Sequence, residues 1–409
     1  MRGTIIAKIE RLDDFGRGIA YINNKITFIE NALEDEIVEI KIVKEHKKYN
    51  EGKVIRYIEK SKIRIDEICP YANICGGCNL NHISIEEENK YKQNKLKNII
   101  NKFTDLDDSV IRDIKCFNEL SYRNKITLHG KNNVLGLYTN KSNEVIKVDE
   151  CLLVNNKINE IINILNQVNE NIEEAIIRTS NNEKEVILDI KGSITDIELL
   201  KSIVDVLIIN GNYITNQKTI ISEIGNYKYH VSAKSFFQVN SYVTKKLYDE
   251  TLNVAKVMCP NNVLDLYCGT GTIGIYISKY CKSIVGVDYN ESNIEDANKN
   301  KEINNVKNME FICDKVENRI NEFKNIDLVV VDPPRAGLDK KTKENLIRIS
   351  PKMIAYTSCD PVTLARDIKD LSDKYEVKYI QPFNNFPRTY HVECVSVLCR
   401  KDFEKYKNV

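Results

Sequence analysis

Short runs of alternating apolar and polar residues fill the N-terminal part of the chain. These runs cover residues 3–9, 18–22, 26–29, 36–44 and 52–59, and Gly, Asn and Asp residues separate them. Such alternation indicates strands with one buried face, and several short strands at close spacing are typical of a small all-β barrel. We therefore predict an OB-like barrel domain over residues 1–59.

The middle of the chain groups its strands instead of alternating them strictly with helices. Charged residues with apolar ones at helical intervals predict one long surface helix over about 86–103. Three β-rich segments follow at 125–129, 134–138 and 144–148, and then two helices and further strands to about residue 230. This order predicts a central α+β domain over residues 60–231, with the helix at 86–103 able to pack on the domain that follows.

From about residue 232 a glycine turn and helix follow the first of a series of apolar strands. Strands beginning at 263, 283, 311, 326 and 353 predict a mostly parallel sheet, and so a Rossmann-like α/β domain over residues 232–409. Because open α/β sheets bind ligands at the carboxyl ends of their strands, polar residues at those ends are candidate site residues. Each of the first four strands ends in an aspartate, namely Asp265, Asp288, Asp314 and Asp332.

The turn after the first strand is built for close approach of a ligand. It contains Gly269 and Gly271, and Asp288 lies 23 residues after Asp265, close to the spacing at which an acidic residue binds ribose hydroxyls. The turn has no Walker lysine, which favours S-adenosylmethionine over a phosphate ligand. Together with Gly274 the two glycines nominally match a dinucleotide fingerprint, but nothing later in the chain resembles a hydride-transfer site.

Cys359 is a candidate nucleophile at the same edge of the sheet. It follows the fifth strand and precedes Asp360 and Pro361, which are typical of an N-cap and a first helical residue. A thiol at a helix N-terminus is expected to have a lowered pKa, which favours the thiolate. The alternative is a small buried cysteine without chemistry. Its polar neighbours Ser358 and Asp360 favour the nucleophile.

Glu393 is a candidate base in the last strand, which the pattern predicts over 389–398. It is the one carboxylate in an otherwise apolar setting, so burial is expected to raise its pKa toward neutrality. The alternative is a strand-edge residue in a salt bridge. Beside a methyl donor, a thiolate and a base have a specific use. The thiolate can add to carbon 6 of uracil, carbon 5 can then take the methyl group, and the base can remove the carbon 5 proton.

A second chemical motif lies in the central domain. Cys69, Cys75 and Cys78 fall within ten residues, and two glycines between them let the backbone curl around an ion. A fourth donor is needed, and the spacing leaves both Cys116 and Cys151 open. Because an iron-sulfur cluster and zinc both accept four thiolates, the spacing also leaves the metal open.

Composition favours a cytoplasmic protein with an RNA partner. Twelve cysteines without an export signal indicate metal-binding or catalytic thiols, and no apolar run reaches the ~20 residues of a membrane span. The net charge is only +1, but residues 41–64 hold nine Lys or Arg against three Glu, which predicts a basic face. That run and the cluster of Tyr122, Arg123 and Lys125 can contact RNA. A solvated lysine-rich surface and a plain strand start are the alternatives.

Five motifs in order resemble the RNA uracil-5 methyltransferases of the TrmA and RumA type, and with residues 1–59, which look like their TRAM domain, the resemblance covers essentially the whole chain. It implies that Cys359 is the nucleophile and Glu393 the base. It implies that S-adenosylmethionine is held by Gln238, Tyr267, Gly269, Gly271, Thr272, Asp288, Asp314 and Asp332, and a four-iron, four-sulfur cluster by Cys69, Cys75, Cys78 and Cys151. The motifs are Phe236-Phe237-Gln238-Val239-Asn240, Asp265-Leu266-Tyr267-Cys268-Gly269-Thr270-Gly271, Asp332-Pro333-Pro334-Arg335-Ala336-Gly337, Ser358-Cys359-Asp360-Pro361-Val362-Thr363-Leu364-Ala365-Arg366-Asp367 and His391-Val392-Glu393.

The chain departs from this family pattern at three positions. Thr272 stands where the family commonly has Asn, Asp288 where it has Glu, and Arg388 where it has His. The barrel and the cluster imply 23S ribosomal RNA as the substrate, rather than the transfer RNA of the shorter family members. The target uridine would be flipped out of its stack. No obligate protein partner is inferred, so a monomer is expected.

Two functions of other classes compete with this assignment. An amino-group methyltransferase acting on adenine or glutamine places an aromatic residue after the Pro-Pro turn, where this chain has Arg335. A non-catalytic RNA-binding or cluster-sensing protein would leave Cys359, Glu393 and Asp332 without a use.

Overall fold

The first six strands form a closed barrel in the computed structural model, which describes residues 4–168 and 171–403. The sheet order is β1-β5-β6-β4-β3-β2, so β1 and β2 are its two edges although only Ile9 and Glu10 separate them in the chain. The continuous segment 5–12 therefore bonds to β5 on one side, extended by Ile9 N to Glu36 O, and to β3 on the other, extended by Glu10 N to Ile19 O, which closes the sheet on itself and confirms the predicted barrel. The strands are β1 (Ile5–Lys8), β2 (Arg11–Leu12), β3 (Gly18–Ile22), β4 (Lys25–Glu30), β5 (Ile37–Glu45) and β6 (Tyr49–Glu59).

The central part of the chain contains a seven-stranded sheet covered by two amphipathic helices. The sheet order is β13-β12-β11-β10-β7-β8-β9, and Ile158, Ile162 and Leu165 of α2 are buried against it. A separate hairpin of β14 and β15 follows. The elements are α1 (Ile85–Phe103), a 3-10 turn (Asp108–Val110), β7 (Lys125–Lys131), β8 (Val134–Tyr138), β9 (Val145–Lys147), α2 (Asn156–Gln167), β10 (Ile172–Thr179), β11 (Val186–Gly192), α3 (Ile197–Ile203), β12 (Val206–Ile209), β13 (Asn212–Tyr213), β14 (Ile220–Ile224) and β15 (Tyr227–Val231).

The C-terminal sheet confirms the predicted Rossmann-like α/β fold. Its order is β18-β17-β16-β19-β20-β22-β21, with β16 to β20 parallel and β22 antiparallel to both of its neighbours. The elements are α4 (Ser241–Met258), β16 (Asn262–Leu266), α5 (Thr272–Ile277), β17 (Ser283–Asp288), α6 (Glu291–Ile303), β18 (Met309–Cys313), α7 (Val316–Arg319), β19 (Leu328–Val331), α8 (Lys340–Ile349), β20 (Met353–Ser358), α9 (Pro361–Leu371), β21 (Tyr375–Phe383) and β22 (Glu393–Arg400), with 3-10 turns at Ser278–Tyr280 and Ile320–Glu322.

Helix α1 packs on the C-terminal sheet and not on the central one. Its start is fixed by Ser84, whose hydroxyl accepts a bond from the Glu87 N–H at 3.2 Å. Leu96 and Ile100 lie in the same core as Leu364 and Ile368 of α9. The chain therefore leaves the barrel and contacts the last domain before it builds the central sheet.

The last strand begins at Glu393, so the predicted start at residue 389 is wrong. Arg388 has a φ of +67° and Thr389 N bonds to Phe386 O at 3.2 Å, which makes residues 386–389 a turn. The alternating pattern of the sequence does not reveal such a turn. Among residues 4–168 and 171–403 no helix combines the length and apolar character that crossing a membrane requires.

Candidate active site

The turn between β16 and α5 leaves open space at the carboxyl edge of the sheet. Gly269 has a φ of +54°, and a Cβ built on it would meet no atom within 4 Å. Gly271, with a φ of +75°, lies under Phe311, whose ring would be 2.5 Å from an added Cβ. The first glycine therefore faces an unfilled space, whereas the second lets the turn pack on the neighbouring strand.

Asp288 closes one side of this space at the end of β17. Its carboxylate accepts the N–H of Gly269 at 3.0 Å, the N–H of Asn290 at 2.9 Å and the Nδ2 of Asn293 at 3.2 Å. A carboxylate offers about four lone-pair sites, so one more hydrogen bond can be accepted from a ligand hydroxyl. The residue is buried, and its neighbours fix its orientation before any ligand binds.

Other predicted cofactor residues differ in whether their polar groups already have partners within the protein. The Thr272 hydroxyl is hydrogen-bonded to the Tyr248 hydroxyl at 2.8 Å, and Gln238, shortly before α4 in the chain, is buried. Tyr267 has a φ of +61°, and burial raises the pKa of its phenol to about 12. Asp314 is bound to its own turn, because it accepts from Lys315 N at 2.7 Å and from Asn318, and these bonds lower its pKa.

Two carboxyl groups in the centre of this edge have raised pKa values. Burial raises the pKa of Asp332, directly after β19, to about 7. Glu393, at the first position of β22, is 4% exposed, and burial together with the Asp332 carboxylate raises its pKa to about 8. Among the side chains that the structure describes, Asn385 alone donates to Glu393, from its Nδ2 at the long distance of 3.5 Å. The predicted rise in the pKa of Glu393 is therefore confirmed.

Cys359 lies beside Glu393. Strands β20 and β22 pair Ser358 with Cys394, the last pair at this end of their ladder, and Cys359 directly follows β20 while Glu393 is the first residue of β22. The Glu393 carboxylate contributes to the pKa of the Cys359 thiol, so the two groups lie close to each other. Burial, and then the carboxylates of Glu393 and Asp332, raise the pKa of the thiol to about 11. The predicted lowering of this pKa is wrong, because burial of the thiol, together with two acidic groups from distant strands, outweighs the helix N-terminus.

Asp360 also weakens the helix effect on the thiol. It is the predicted N-cap of α9, and its Oδ1 accepts the N–H groups of Val362 at 2.9 Å and Thr363 at 3.0 Å. These are the N–H groups that would otherwise stabilise a nearby thiolate. The positive charge that does lower the pKa of Cys359 comes from Arg335 in the loop after β19.

Helix α9 holds that loop in place. Asp367 accepts the N–H of Leu338 at 2.7 Å and the hydroxyl of Tyr356 at 2.8 Å, and Arg366 donates to the carbonyl of Ala336 at 2.8 Å. Gly337 has a φ of +72° and approaches Asp367 so closely that an added Cβ would lie 2.5 Å from its Oδ2. The sequence assigns no role to these supporting residues, because their partners are about thirty positions away.

Residues from the barrel and from α1 complete the mouth of the site. The ring of Phe15 packs edge-on to Tyr390 at 5.3 Å, and Lys95 donates to the Tyr390 carbonyl at 2.9 Å. Burial lowers the pKa of His391 to about 4, so this ring is neutral at pH 7. The sequence does not predict that Phe15 or Lys95 lies here, because each is far from Tyr390 in the chain and reaches it only through the tertiary fold.

Cys69, Cys75, Cys78 and Cys151 line one cavity of about 100 Å³. Cys116, the other candidate, is not among its lining residues. Burial, and then the neighbouring thiols, raise the pKa of Cys78 to about 12. Nowhere in residues 4–168 and 171–403 do three or more His, Cys, Asp or Glu side chains form a group that could hold a single metal ion.

Of the two possibilities for the cluster beside this cavity, RNA contact or a strand start, burial excludes RNA contact for Tyr122. That side chain is 1% exposed, and its hydroxyl donates to Pro387 O at 3.1 Å. Arg123 lines the cysteine cavity, and burial lowers the pKa of Lys125 to about 8. The lysines and arginines of residues 41–60 are exposed, as both a basic RNA-binding face and a solvated lysine-rich surface require.

The sheet order and the site together define the class of protein. A parallel sheet with one antiparallel strand inserted next to its edge, an open glycine turn after the first parallel strand and an acidic residue at the end of the next are the features of a Rossmann-like S-adenosylmethionine-dependent methyltransferase.

Comparison with known proteins narrows the class to a family. The tRNA (Uracil-5-)-methyltransferase family matches residues 179–401, and the TRAM domain matches residues 2–55. An uncharacterized RNA methyltransferase of Clostridium acetobutylicum is 36% identical over 96% of this chain and 96% of that protein. One from Staphylococcus aureus is 33% identical over 93% and 95%.

A solved structure covers nearly the same length. The Pyrococcus abyssi tRNA (uracil-54, C5)-methyltransferase in complex with S-adenosyl-L-homocysteine has a TM-score of 0.78 and 26% identity, and the match covers 97% of this chain and 99% of that one. The chain therefore belongs to the family of S-adenosylmethionine-dependent RNA uracil-5 methyltransferases, as the five motifs predict.

Proposed function

We propose that this protein methylates carbon 5 of a uridine in RNA, with Cys359 as the nucleophile and Glu393 as the base. The observation that supports this assignment is that Cys359 and Glu393 flank the last pair of the β20–β22 ladder, Ser358 and Cys394, on the edge of the sheet that also holds the open turn at Gly269. An amino-group methyltransferase would need neither group. Bound S-adenosylmethionine supplies an electrophilic methyl group at this edge of the sheet.

Each residue then has one task. The sulfur of Cys359 forms a bond to carbon 6 of the uracil, which moves electron density to carbon 5 and makes it nucleophilic. After carbon 5 has been methylated, the Glu393 carboxylate takes its proton, and the carbon–sulfur bond breaks to release 5-methyluridine and the thiolate. With the pKa of the thiol at about 11 and that of Glu393 at about 8, both groups act in their deprotonated forms, so the rate should rise with pH from 7 to 9.

The Asp288 carboxylate is proposed to bind the ribose of the methyl donor. Asp288→Asn leaves a single acceptor oxygen in place of two, so we expect the Kd for S-adenosylmethionine to rise about tenfold, the effect of one lost hydrogen bond. Isothermal titration calorimetry of the parent and the variant with S-adenosylmethionine measures this change in Kd.

Asp327→Asn is the matched control for this change. Asp327 also accepts two backbone N–H groups, from Asn261 at 2.7 Å and Asn262 at 3.2 Å, but it lies at the opposite edge of the same sheet. It should lower stability and leave the Kd unchanged. Equal effects of the two variants would contradict the assignment of Asp288.

The four cysteines around the cavity are proposed to hold the four-iron, four-sulfur cluster. A space of about 100 Å³ is more than a single ion needs, since one water molecule takes up ~30 Å³. Arg123 and Arg388 also line this cavity, and the Nε–H of each is buried without a hydrogen-bond partner. Donors of this kind suit the sulfur atoms of an anionic cluster. Cysteine donors, room and polarity thus all fit the group.

Anaerobic purification is expected to give a brown protein that contains iron and acid-labile sulfide. Cys78→Ser and Cys151→Ser should lose most of both, because each removes one of four thiolate ligands. Cys116→Ser is the control, since Cys116 does not line the cavity, and it should retain them. Zinc without sulfide in the parent protein would reject the cluster.

The substrate is proposed to be 23S ribosomal RNA, in keeping with the exposed basic face of the barrel. One observation favours transfer RNA as a second candidate: the solved structure that matches 97% of this chain is that of a transfer RNA methyltransferase. Mapping 5-methyluridine in ribosomal and transfer RNA from cells with and without the gene distinguishes the two substrates. Loss from transfer RNA alone would refute the ribosomal target. Bacterial relatives and an RNA substrate support a cytoplasmic location. We also propose that the protein is a monomer of three domains, with boundaries after residues 59 and 231.

A further inference from the structure

Arg388 is buried between the cysteine cavity and the segment that leads to Glu393. One end nitrogen of its guanidinium donates to Ile83 O at 2.8 Å, and the other to Glu119 Oε2 at 2.7 Å. Its Nε–H is buried and has no partner, although the side chain lines the cavity of the four cysteines. A buried donor without a partner costs free energy, so an acceptor in the cavity would account for it.

The backbone of Arg388 is bonded to the cysteine loop as well. Its carbonyl accepts the N–H groups of Asn79 at 2.9 Å and Leu80 at 3.1 Å, the two residues that follow Cys78. Its own N–H donates to Glu88 of α1 at 2.9 Å. The residue has a φ of +67°, a conformation that a non-glycine residue adopts only when its surroundings enforce it.

The same turn sets the position of the candidate base. The Tyr122 hydroxyl donates to the carbonyl of Pro387, the residue before Arg388, at 3.1 Å. Lys92 donates to Asn384 Oδ1 at 2.6 Å. Asn385, directly before this turn, donates to the Glu393 carboxylate. A shift of the cysteine loop would therefore be passed through Arg388 to both Asn385 and Glu393.

We propose that Arg388 is a positioning residue that couples the group bound by the four cysteines to the catalytic base, with its Nε–H donating to a sulfur atom of that group. The proposal rests on the cluster and on the role of Glu393 proposed above. Arg123, on the same cavity wall and also with an unpartnered Nε–H, is the second donor. Partners of this kind tune the potential of a cluster and orient its ligands.

The test uses the anaerobically purified full chain with Arg388→Lys, which keeps the charge and removes Nε. We expect unchanged iron and sulfide, an unchanged Kd for S-adenosylmethionine, and a kcat lowered about tenfold, the usual effect of losing such a partner. The midpoint potential of the cluster should become more negative, because a donor to sulfur stabilises the reduced form. Arg123→Lys should shift the potential in the same direction with less effect on kcat.

Arg178→Lys is the matched control. Arg178 is equally buried and donates to the carbonyls of Ser232 at 3.1 Å and Ser235 at 2.8 Å, but it does not line the cysteine cavity. The Arg178→Lys protein should keep the midpoint potential of the parent.

If Arg388→Lys loses iron, Glu119→Gln is tested in its place. This change weakens the bond between Glu119 and one end nitrogen of Arg388, and it should lower kcat and the midpoint potential in the same direction but less.

Three outcomes would overturn the coupling. The first is that Arg388→Lys keeps both the kcat and the midpoint potential of the parent protein. The second is that Arg388→Lys lowers kcat but keeps the parent potential. The third is that the parent protein contains no iron. In the last case covalent trapping of 5-fluorouridine RNA by the parent would still support Cys359 as the nucleophile. Failure of trapping in an iron-containing parent would reject uracil methylation and leave the potential measurements valid.

Discussion

Cys359→Ala is expected to lose methyl transfer by ~10⁴-fold or more, the range found when a covalent nucleophile is removed. Without the sulfur, carbon 5 of the uracil has too little electron density to take the methyl group. The measurement is transfer of radiolabelled methyl from S-adenosylmethionine to RNA. It is paired with denaturing electrophoresis of the protein after incubation with 5-fluorouridine RNA, where the parent forms a covalent adduct and the variant does not.

Cys394→Ala is the control for this change. Cys394 directly follows Glu393 in β22 and pairs with Ser358, it is fully buried, and its side chain points to the face of β22 opposite to that of Glu393. It should form the adduct at the parent rate. An adduct with Cys359→Ala, or methyl groups found on an exocyclic nitrogen, would refute the covalent assignment.

Glu393→Gln is expected to form the carbon–sulfur bond and to transfer the methyl group, but to stall before release. Turnover should fall by ~10²- to 10⁴-fold, the typical contribution of a general base. The methylated adduct should therefore accumulate with ordinary uridine RNA. Glu376→Gln, an exposed change on the neighbouring strand β21, should turn over like the parent. Release at the parent rate by Glu393→Gln would assign the base elsewhere.

The same variant has a signature in stability. The pKa of Glu393 is raised from 4.5 to about 8 on folding, so the folded protein holds a proton there that the unfolded chain gives up. The associated stability is fully present below about pH 4.5 and is lost as the pH rises through about 8. Glutamine cannot ionise. The Tm of the variant relative to the parent should therefore increase between pH 5 and pH 9, as thermal unfolding would reveal.

Local patterns in the sequence predict the strands and glycine turns well, because these depend on residues close together in the chain. A lone carboxylate in an apolar strand, Glu393, favours burial over a salt bridge at a strand edge, so the direction of its pKa shift can be predicted from the sequence. The pKa of Cys359 is not, since the helix that follows it is visible in the sequence but the carboxylates of Asp332 and Glu393 reach it only through the fold.

The cysteine site illustrates the same limit. Cys116 and Cys151 are equally acceptable by spacing, and only tertiary structure separates them: Cys116 lies near Glu88 and Asn89 of α1, whereas Cys151 faces the other three thiols. The sequence leaves the role of Tyr122 open for a related reason. Its hydroxyl partner, Pro387, is 265 positions away, and an aromatic beside an arginine looks alike on a surface and in a core.

Cys359 directly follows β20 and Glu393 begins β22, so the Ser358–Cys394 pair between these bonded strands, whose backbones lie about 4.8 Å apart, holds the two residues near each other. No hinge has to close to assemble the pair. A one-residue slip of β22 would turn the acid to the far side of the sheet, so the ladder tolerates no intermediate geometry. The nucleic acid must therefore distort to fit a rigid template, and the selectivity of this enzyme should depend on how easily each RNA loop can do so.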